Sequence, residues 1–404
     1  MVLRWLAGVA GVVVIVGIAQ ALIGELLVPR PVSSPFVRVT RLVTQLVITT
    51  VARTGWSFGR QHRFLSALGP LIVVATLLIA VAGFLLGFSL LVYAVTGTSI
   101  SSAALQAGSG LMTLGIIDEN GGPLLIGIVL LAAFTGMVII AVLVGYLIFL
   151  FTDYTDRETG VTKSSVMSGE PAWGAELLCR RRLADVGTLD PVGDGWIDWV
   201  CSVRVAQTMY PILAYFRSSG PMRSWVTTLI ARMDAAALEL TVARHHRPGD
   251  LTSLLAEGSQ TLAVMRVLME NGRAVITSDD LEQPTPGHLT GSRGSALYRA
   301  IRTDGQVTRQ HRLREDPATG PSTLTREEFD HAVGQMRIVG IPLVEDLDEA
   351  WHRFRWLRGE YESDAYRVAS RIQAPPAPWT GSRRRPLETV WPTSCADLYQ
   401  ASRT

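Results

Sequence analysis

Apolar positions crowd into three runs along the chain, residues 5–28, 70–96 and 124–152, and polar positions crowd between and after them. Between residues 70 and 152 the charged side chains are Asp118 and Glu119, with no Lys, Arg or His. Each run meets the roughly 20 apolar residues that a helix needs to cross about 30 Å of hydrocarbon, so the pattern predicts three transmembrane helices. The first run is too long for the apolar core of a cleaved signal and is followed by Gly24-Glu25-Leu26-Leu27-Val28-Pro29-Arg30, which is no small-x-small exit, so it is expected to stay as a helix. From residue 153 the pattern changes. Amphipathic windows fall near 172–185, 195–217, 223–246, 250–273, 325–338 and 345–372, with Gly, Pro and Asp clusters between them, which predicts a helical bundle.

The 97–123 segment between the second and third runs is too apolar for an ordinary loop. Thr98, Ser99, Ser101 and Ser102 supply capping candidates ahead of Ala103, Ala104 and Ala107, so a short helix is expected to start near Ser99. Gly108, Gly110 and Gly115 then break the helical pattern, and Asp118-Glu119-Asn120-Gly121-Gly122-Pro123 is a strong turn. Span, short helix, Gly-containing stretch, acidic turn and span is the order of a re-entrant pore loop, here 98–118. Irregular backbone at that depth is tolerated where protein buries it or it lines water. The expected fold class is thus an all-α membrane protein: three transmembrane helices, a re-entrant pore-helix loop and a cytoplasmic α-helical domain.

Charge sets the expected orientation. Residues 29–69 carry Arg30, Arg38, Arg41, Arg53, Arg60 and Arg63 and no acid, whereas 97–123 carries no Lys or Arg. The positive-inside rule puts 29–69 and the large C-terminal part in the cytoplasm and 97–123 outside, with Arg4 as the one opposing charge. The expected location is the inner (plasma) membrane, with multiple passes. Within the basic loop, arginines alternate with aliphatics at a rough helical period over 37–53, which fits either a helix lying among anionic headgroups or one packed on the cytoplasmic domain. The organisation expected is 1–28 first helix, 29–69 basic amphipathic segment, 70–152 pore-like domain, 153–282 helical domain, 283–323 linker, 324–372 C-terminal helices and 373–404 a Pro- and Arg-rich disordered tail.

The segment 104–115, Ala-Leu-Gln-Ala-Gly-Ser-Gly-Leu-Met-Thr-Leu-Gly, resembles the pore helix and first filter residues of bacterial two-transmembrane potassium channels. Their filter reads Thr-Val/Leu-Gly-Tyr-Gly-Asp, and Thr113-Leu114-Gly115 is similar to its first half. Ile116-Ile117-Asp118 stands where the aromatic residue, second glycine and aspartate would be. The stretches 173–178, 210–218, 223–229 and 234–238 resemble the helical extension of a group of bacterial potassium-channel-like membrane proteins, so the likeness covers roughly residues 1 to 275. The resemblance implies a homo-oligomer, a tetramer, with Thr113, Leu114, Gly115, Ile116 and Ile117 as filter-like pore backbone. Asp118 and Glu119 become an outer acidic ring for a monovalent cation, or residues that solvate a turn. Gly136 in the third run is a candidate hinge or a packing glycine. A β-branched Ile where the filter needs glycine conformations implies atypical or lost potassium selectivity.

The expected function is passive monovalent cation conduction, with a non-conducting membrane scaffold or regulator as the alternative. A net charge of +2 excludes a globally basic nucleic-acid binder, and membrane lipids are the expected surroundings. Cys179, Cys201 and Cys395 are too scattered for a disulfide framework or a metal site, and no Gly-x-Gly-x-x-Gly or Walker loop points to a cofactor. No nucleophile and base are clustered, so an enzyme is not expected. Trp196 and Trp199 share a helix face and read as core, His245-His246 as the basic end of a helix, and Arg180-Arg181-Arg182 as a solvated face or a lipid contact.

Overall fold

The computed structural model describes residues 2–26, 46–48, 50, 51, 53, 56, 58–115, 122–184, 195–243, 248–271, 322–380, 394, 395, 397 and 399. The regular structure among them is helical. In chain order the helices are α1 (Val2–Leu26), α2 (Phe58–Ser66), α3 (Leu68–Thr96), α4 (Ile100–Leu111), α5 (Gly122–Ser168), α6 (Gly174–Leu183), α7 (Trp196–Met209), a 3-10 turn (Pro211–Tyr215), α8 (Trp225–Val242), α9 (Pro248–Asn271), α10 (Arg326–Ile338) and α11 (Leu347–Arg371). Three stretches are helical, long and apolar enough to cross a membrane: Val2–Gly24, Gly59–Thr96 and Gly122–Ser168. The chain divides into two compact units, Met1–Thr44 with Ala67–Thr152, and Gln45–Ser66 with Asp153–Thr404.

In the first unit α1 and α3 pack antiparallel through small residues. Gly8 faces Ala94, Gly11 faces Gly87, and Gly83 faces Ile18. A Cβ on Gly11 would lie 2.7 Å from the Gly87 carbonyl oxygen, so glycine is what lets the two backbones approach this closely. α3 ends where Gly97 takes a left-handed φ of +68° and returns its N–H to the Tyr93 carbonyl at 2.9 Å. The Arg4 side chain caps the same end, donating from Nε to Ala94 O at 3.0 Å and from Nη2 to Val95 O at 2.5 Å. Phe84, Phe88 and Val92 of α3, Ala103, Ala107 and Leu111 of α4, and Leu125, Val129 and Ala132 of α5 form one buried cluster, which places α4 between two span-length helices. The outward faces are apolar too, with Val9, Leu71, Leu78, Leu130 and Phe134 exposed. That is the reverse of a water-soluble helix bundle, and it suits hydrocarbon.

The second unit is built around α8, of which every residue but Glu239 is buried. A helix apolar nearly all round sits at the centre of a bundle. α6, α9 and α11 pack on it, α7 packs on α9, and α10 packs on α6. Gly174 opens α6 so close to α8 that a Cβ would lie 2.7 Å from the Ala235 nitrogen. α10 and α11, expected as a segment apart, share this core through Phe329, Trp351 and Phe354. Residues 373–380, expected to begin a tail, are core as well. Ala374, Ala377 and Trp379 are buried, and the Trp379 ring meets Trp173 edge-on at 5.8 Å. Further on, the buried Cys395 donates its N–H to Glu176 Oε1 at 2.9 Å. The arginine triplet on α6 is engaged within this unit: Arg180 with Glu176, Arg181 with Glu239, and Arg182 with the Gly340 carbonyl. Trp196 and Trp199 pair edge-on at 5.5 Å. His245 and His246, and most of residues 29–69, 283–323 and 381–404, lie outside the described residues.

Candidate functional site

α4 and the turn after it carry most of the expected site residues. The helix starts where the Ser99 hydroxyl accepts the Ser102 N–H at 3.3 Å, satisfying one of the free donors of the first turn. Its residues are mostly small, so it packs by backbone approach rather than by interdigitating bulk. Ala103, Gln106, Ala107, Ser109, Gly110 and Leu111 are buried, while Ile100 and Leu105 face outward. Gln106 is 9% exposed, and its Oε1 is buried with no hydrogen-bond partner among the described residues. An unsatisfied buried carbonyl oxygen is costly, which makes Gln106 the residue of this helix whose side chain most needs an explanation.

The helix closes with a pair of reverse hydrogen bonds. Thr113 N–H donates to Gly110 O and Leu114 N–H to Ser109 O, both at 2.8 Å, the 5→2 and 6→1 pairing of a Schellman turn. That motif requires a left-handed residue after the cap, and here it is Thr113 with φ +59°. A threonine in that region costs on the order of 1–2 kcal/mol. Its hydroxyl donates to the Met112 carbonyl at 2.7 Å. Gly115 is also left-handed, at φ +76°, so positive φ recurs at every second residue of Thr113-Leu114-Gly115. Met112, Thr113, Leu114 and Gly115 are all exposed. Ile116, Ile117, Asp118 and Glu119 lie outside the described residues.

Gly136 joins this turn to α5. Leu125, Val129, Ala132 and Gly136 follow one another at intervals of four, three and four residues, so they share one face of α5. α4 lies on that face. A Cβ on Gly110 would fall 2.9 Å from Val129 O and 3.3 Å from Ala132 Cβ, and a Cβ on Gly136 would fall on the Leu111 carbonyl oxygen. Gly136 thus holds a close approach between α5 and the last turn of α4, inside a helix that runs unbroken through Gly122–Ser168.

A second polar constellation, in the other unit, was not anticipated from the sequence. Arg358, fully buried on α11, donates to Asp234 on α8, to Glu362 Oε2 at 2.9 Å and to the Trp379 carbonyl at 2.5 Å. Tyr361 donates its hydroxyl to Asp234 at 2.6 Å, and Glu362 receives Ser322 Oγ and the Thr323 N–H, each at 2.6 Å. Burial pushes the Asp234 carboxyl up, against the opposing pull of Arg358. Burial also acts on Glu362, but Arg358 and the donors from residues 322–323 outweigh it and hold this carboxyl below its ordinary value. Arg358 stays far above neutrality, because its carboxylate and phenol neighbours override the cost of burying it. The signal was available: Arg232 and Asp234 are charges inside an alanine-rich helix, and Arg358 and Glu362 are four apart on another. Each of these groups is spent on its neighbours, which describes a clamp rather than a reaction centre. Among the described residues no three His, Cys, Asp or Glu side chains are grouped to hold a metal ion. No protein-family model, no curated protein and no solved structure matches the chain.

Proposed function

We propose that the chain is a potassium-channel-like membrane protein that conducts monovalent cations passively, as a homo-oligomer of fourfold type, with atypical or lost potassium selectivity. The observation that carries this reading is α4: a short capped helix packed between two span-length helices, in backbone contact with α5, and ending in a turn of alternating left-handed residues. Such a turn is the kind of irregular backbone that a membrane protein keeps where it lines water. In this reading α4 is the pore helix of a re-entrant loop, α5 lines the pathway, and Asp118 and Glu119 form the outer acidic ring. The second unit is the cytoplasmic domain, and the membrane is the inner membrane. The reading needs no cofactor, nucleic acid or catalytic chemistry.

One observation favours the rival, a non-conducting scaffold with the same architecture. Thr113 and Leu114 donate their N–H groups back to Gly110 O and Ser109 O, so the first two filter-like residues are taken up in closing α4, as in an ordinary helix end. Flux decides between them. The full chain reconstituted in liposomes under a potassium or sodium gradient is expected to leak cations above empty vesicles, and Asp118→Asn/Glu119→Gln is expected to reduce that leak. Correctly assembled protein with no leak above empty vesicles overturns conduction and leaves the scaffold.

A further inference from the structure

α2 has two unlike faces. His62 and Leu65, 8% and 3% exposed, are buried in the second unit, where Arg217 Nη1 donates to His62 Nδ1 at 3.4 Å. At 100° per residue, Arg60, Arg63 and Phe64 fall on the opposite arc, and all three are exposed. Trp56 is drawn onto that arc. Gln61 Nε2 donates to the Trp56 carbonyl at 3.2 Å, and the Trp56 ring meets the Phe64 ring edge-on at 5.9 Å, with 42% and 49% of the two residues exposed. Arg60 and Arg63 form no ion pair among the described residues, and no acid occurs anywhere in 29–69.

Chain length gives this face its surroundings. α3 alone, the 29 residues Leu68–Thr96, runs about 43 Å at 1.5 Å per residue against about 30 Å of hydrocarbon, and α2 precedes it in the chain with Ala67 between them. The excess lies outside the apolar core, and the end that carries charge is the α2 end. An exposed aromatic pair beside two unpaired guanidinium groups, one turn before an apolar helix begins, matches the chemistry of a headgroup boundary. Aromatic rings prefer that depth, and the planar arginine fork fits phosphate oxygens.

We propose that the Arg60, Arg63, Phe64 and Trp56 face of α2 binds an anionic phospholipid, the two arginines holding its headgroup phosphate and the two rings seating at the acyl boundary. The proposal is independent of conduction and stands if the chain passes no ions. Native mass spectrometry of the full chain, released from micelles holding phosphatidylglycerol or phosphatidylcholine, tests it. Wild type is expected to retain phosphatidylglycerol, and Arg60→Gln/Arg63→Gln to bind it about thirtyfold more weakly, with phosphatidylcholine unchanged; the figure follows from the surface-potential energy of two arginines. Both substituted side chains are exposed, so the variant's thermal melt is expected to match wild type. In bilayers, the emission lost on Trp56→Phe is expected to be quenched by brominated phosphatidylglycerol. Equal phosphatidylglycerol affinity in wild type and the arginine variant overturns the proposal. So does a Trp56 that the brominated lipid leaves unquenched, and so does displacement of the lipid by equimolar glycerol phosphate, which would make the site one for a free anion.

Discussion

Replacing Arg358 by Met tests whether the buried ion cluster holds the second unit together. Arg358 has no solvent exposure, and its loss leaves Asp234 and Glu362, 1% and 2% exposed, without the cation between them. Glu362 keeps Ser322 and Thr323 as donors, but among the described residues Asp234 keeps only the Tyr361 hydroxyl. The cost therefore falls on Asp234, and removing one partner of such a pair costs about 3–5 kcal/mol. At roughly 2–4 °C per kcal/mol for a unit of this size, melting should fall by about 6–20 °C. The assay is thermal unfolding of the full chain in detergent, followed by intrinsic fluorescence, since Trp225, Trp351 and Trp379 are buried in this core. Sign matters as well. Burial already raises the Asp234 carboxyl, and the variant removes the group that opposed that rise. A raised carboxyl contributes fully when protonated and loses its contribution as pH rises through its folded value, so the variant's deficit should be smaller at pH 5 than at pH 8. Asp234→Asn placed on Arg358→Met should recover much of the loss. A variant that melts with wild type at both pH values would refute the clamp. Arg326→Ala is the control, because its partners Asp330 and Asp348 are 49% and 81% exposed and such pairs contribute about 0–1 kcal/mol each.

Three further outcomes follow from the same geometry. Gly136→Ala puts a methyl on the Leu111 carbonyl, so α4 must shift at a cost of about 1–3 kcal/mol, read as a lower melting temperature and, in liposomes, a lost leak; unchanged values for both would mean that the contact is loose. Gln106→Leu removes a carboxamide whose oxygen is buried without a partner among the described residues, and if that group serves only packing the variant is more stable with unaltered flux; reduced flux at raised stability would instead place Gln106 on a water path. Glu362, held below its ordinary value of 4.5, contributes stability that is present above that pH and is lost as pH falls through its depressed value. Ser322→Ala should therefore shift the acid-unfolding midpoint upward, and an unchanged midpoint would show that the Ser322 bond is worthless.

What the sequence made legible was whatever depends on near neighbours. Run length gives the span-length helices, and Ser/Thr capping candidates at 98–102 ahead of small residues give the start of α4 near Ser99, because both signals are complete within a few turns. Gly136 was ambiguous for the opposite reason. A hinge and a packing glycine look alike until the Leu111 carbonyl, 25 positions away in the chain, is found against it. Trp379 read as tail because Pro375, Pro376 and Pro378 flank it, yet proline only forbids helix and does not forbid burial, and an Arg358 donor waits for its carbonyl. The partner of Asp234 lies 124 residues away on α11, beyond any local pattern. Only the oddity of a charge in an alanine-rich helix announced that a partner had to exist.

Arg4 sharpens the argument about topology. Read as a plain charge it opposes an N-terminus outside the cell. Its guanidinium is bonded to Ala94 O and Val95 O at the carboxyl end of α3, where the helix dipole attracts a cation, and Gly97 leaves room for it, since a Cβ there would lie 2.9 Å from Nη1. A charge satisfied in this way is a cap, and it weakens as a vote in the positive-inside comparison. Because α1 and α3 run antiparallel, the Arg4 end and the Gly97 end share one side of the first unit, and the six arginines of 29–69 connect the opposite ends. The comparison becomes six arginines against one that is a cap, and the proposed orientation has Ser99 outside and the second unit in the cytoplasm. Ser101→Cys, at an exposed position on α4, should then react with a membrane-impermeant thiol reagent on intact cells, and Arg4→Gln should leave that labelling unchanged while lowering the melting temperature. Labelling of Ser101→Cys only after permeabilisation would reverse the orientation.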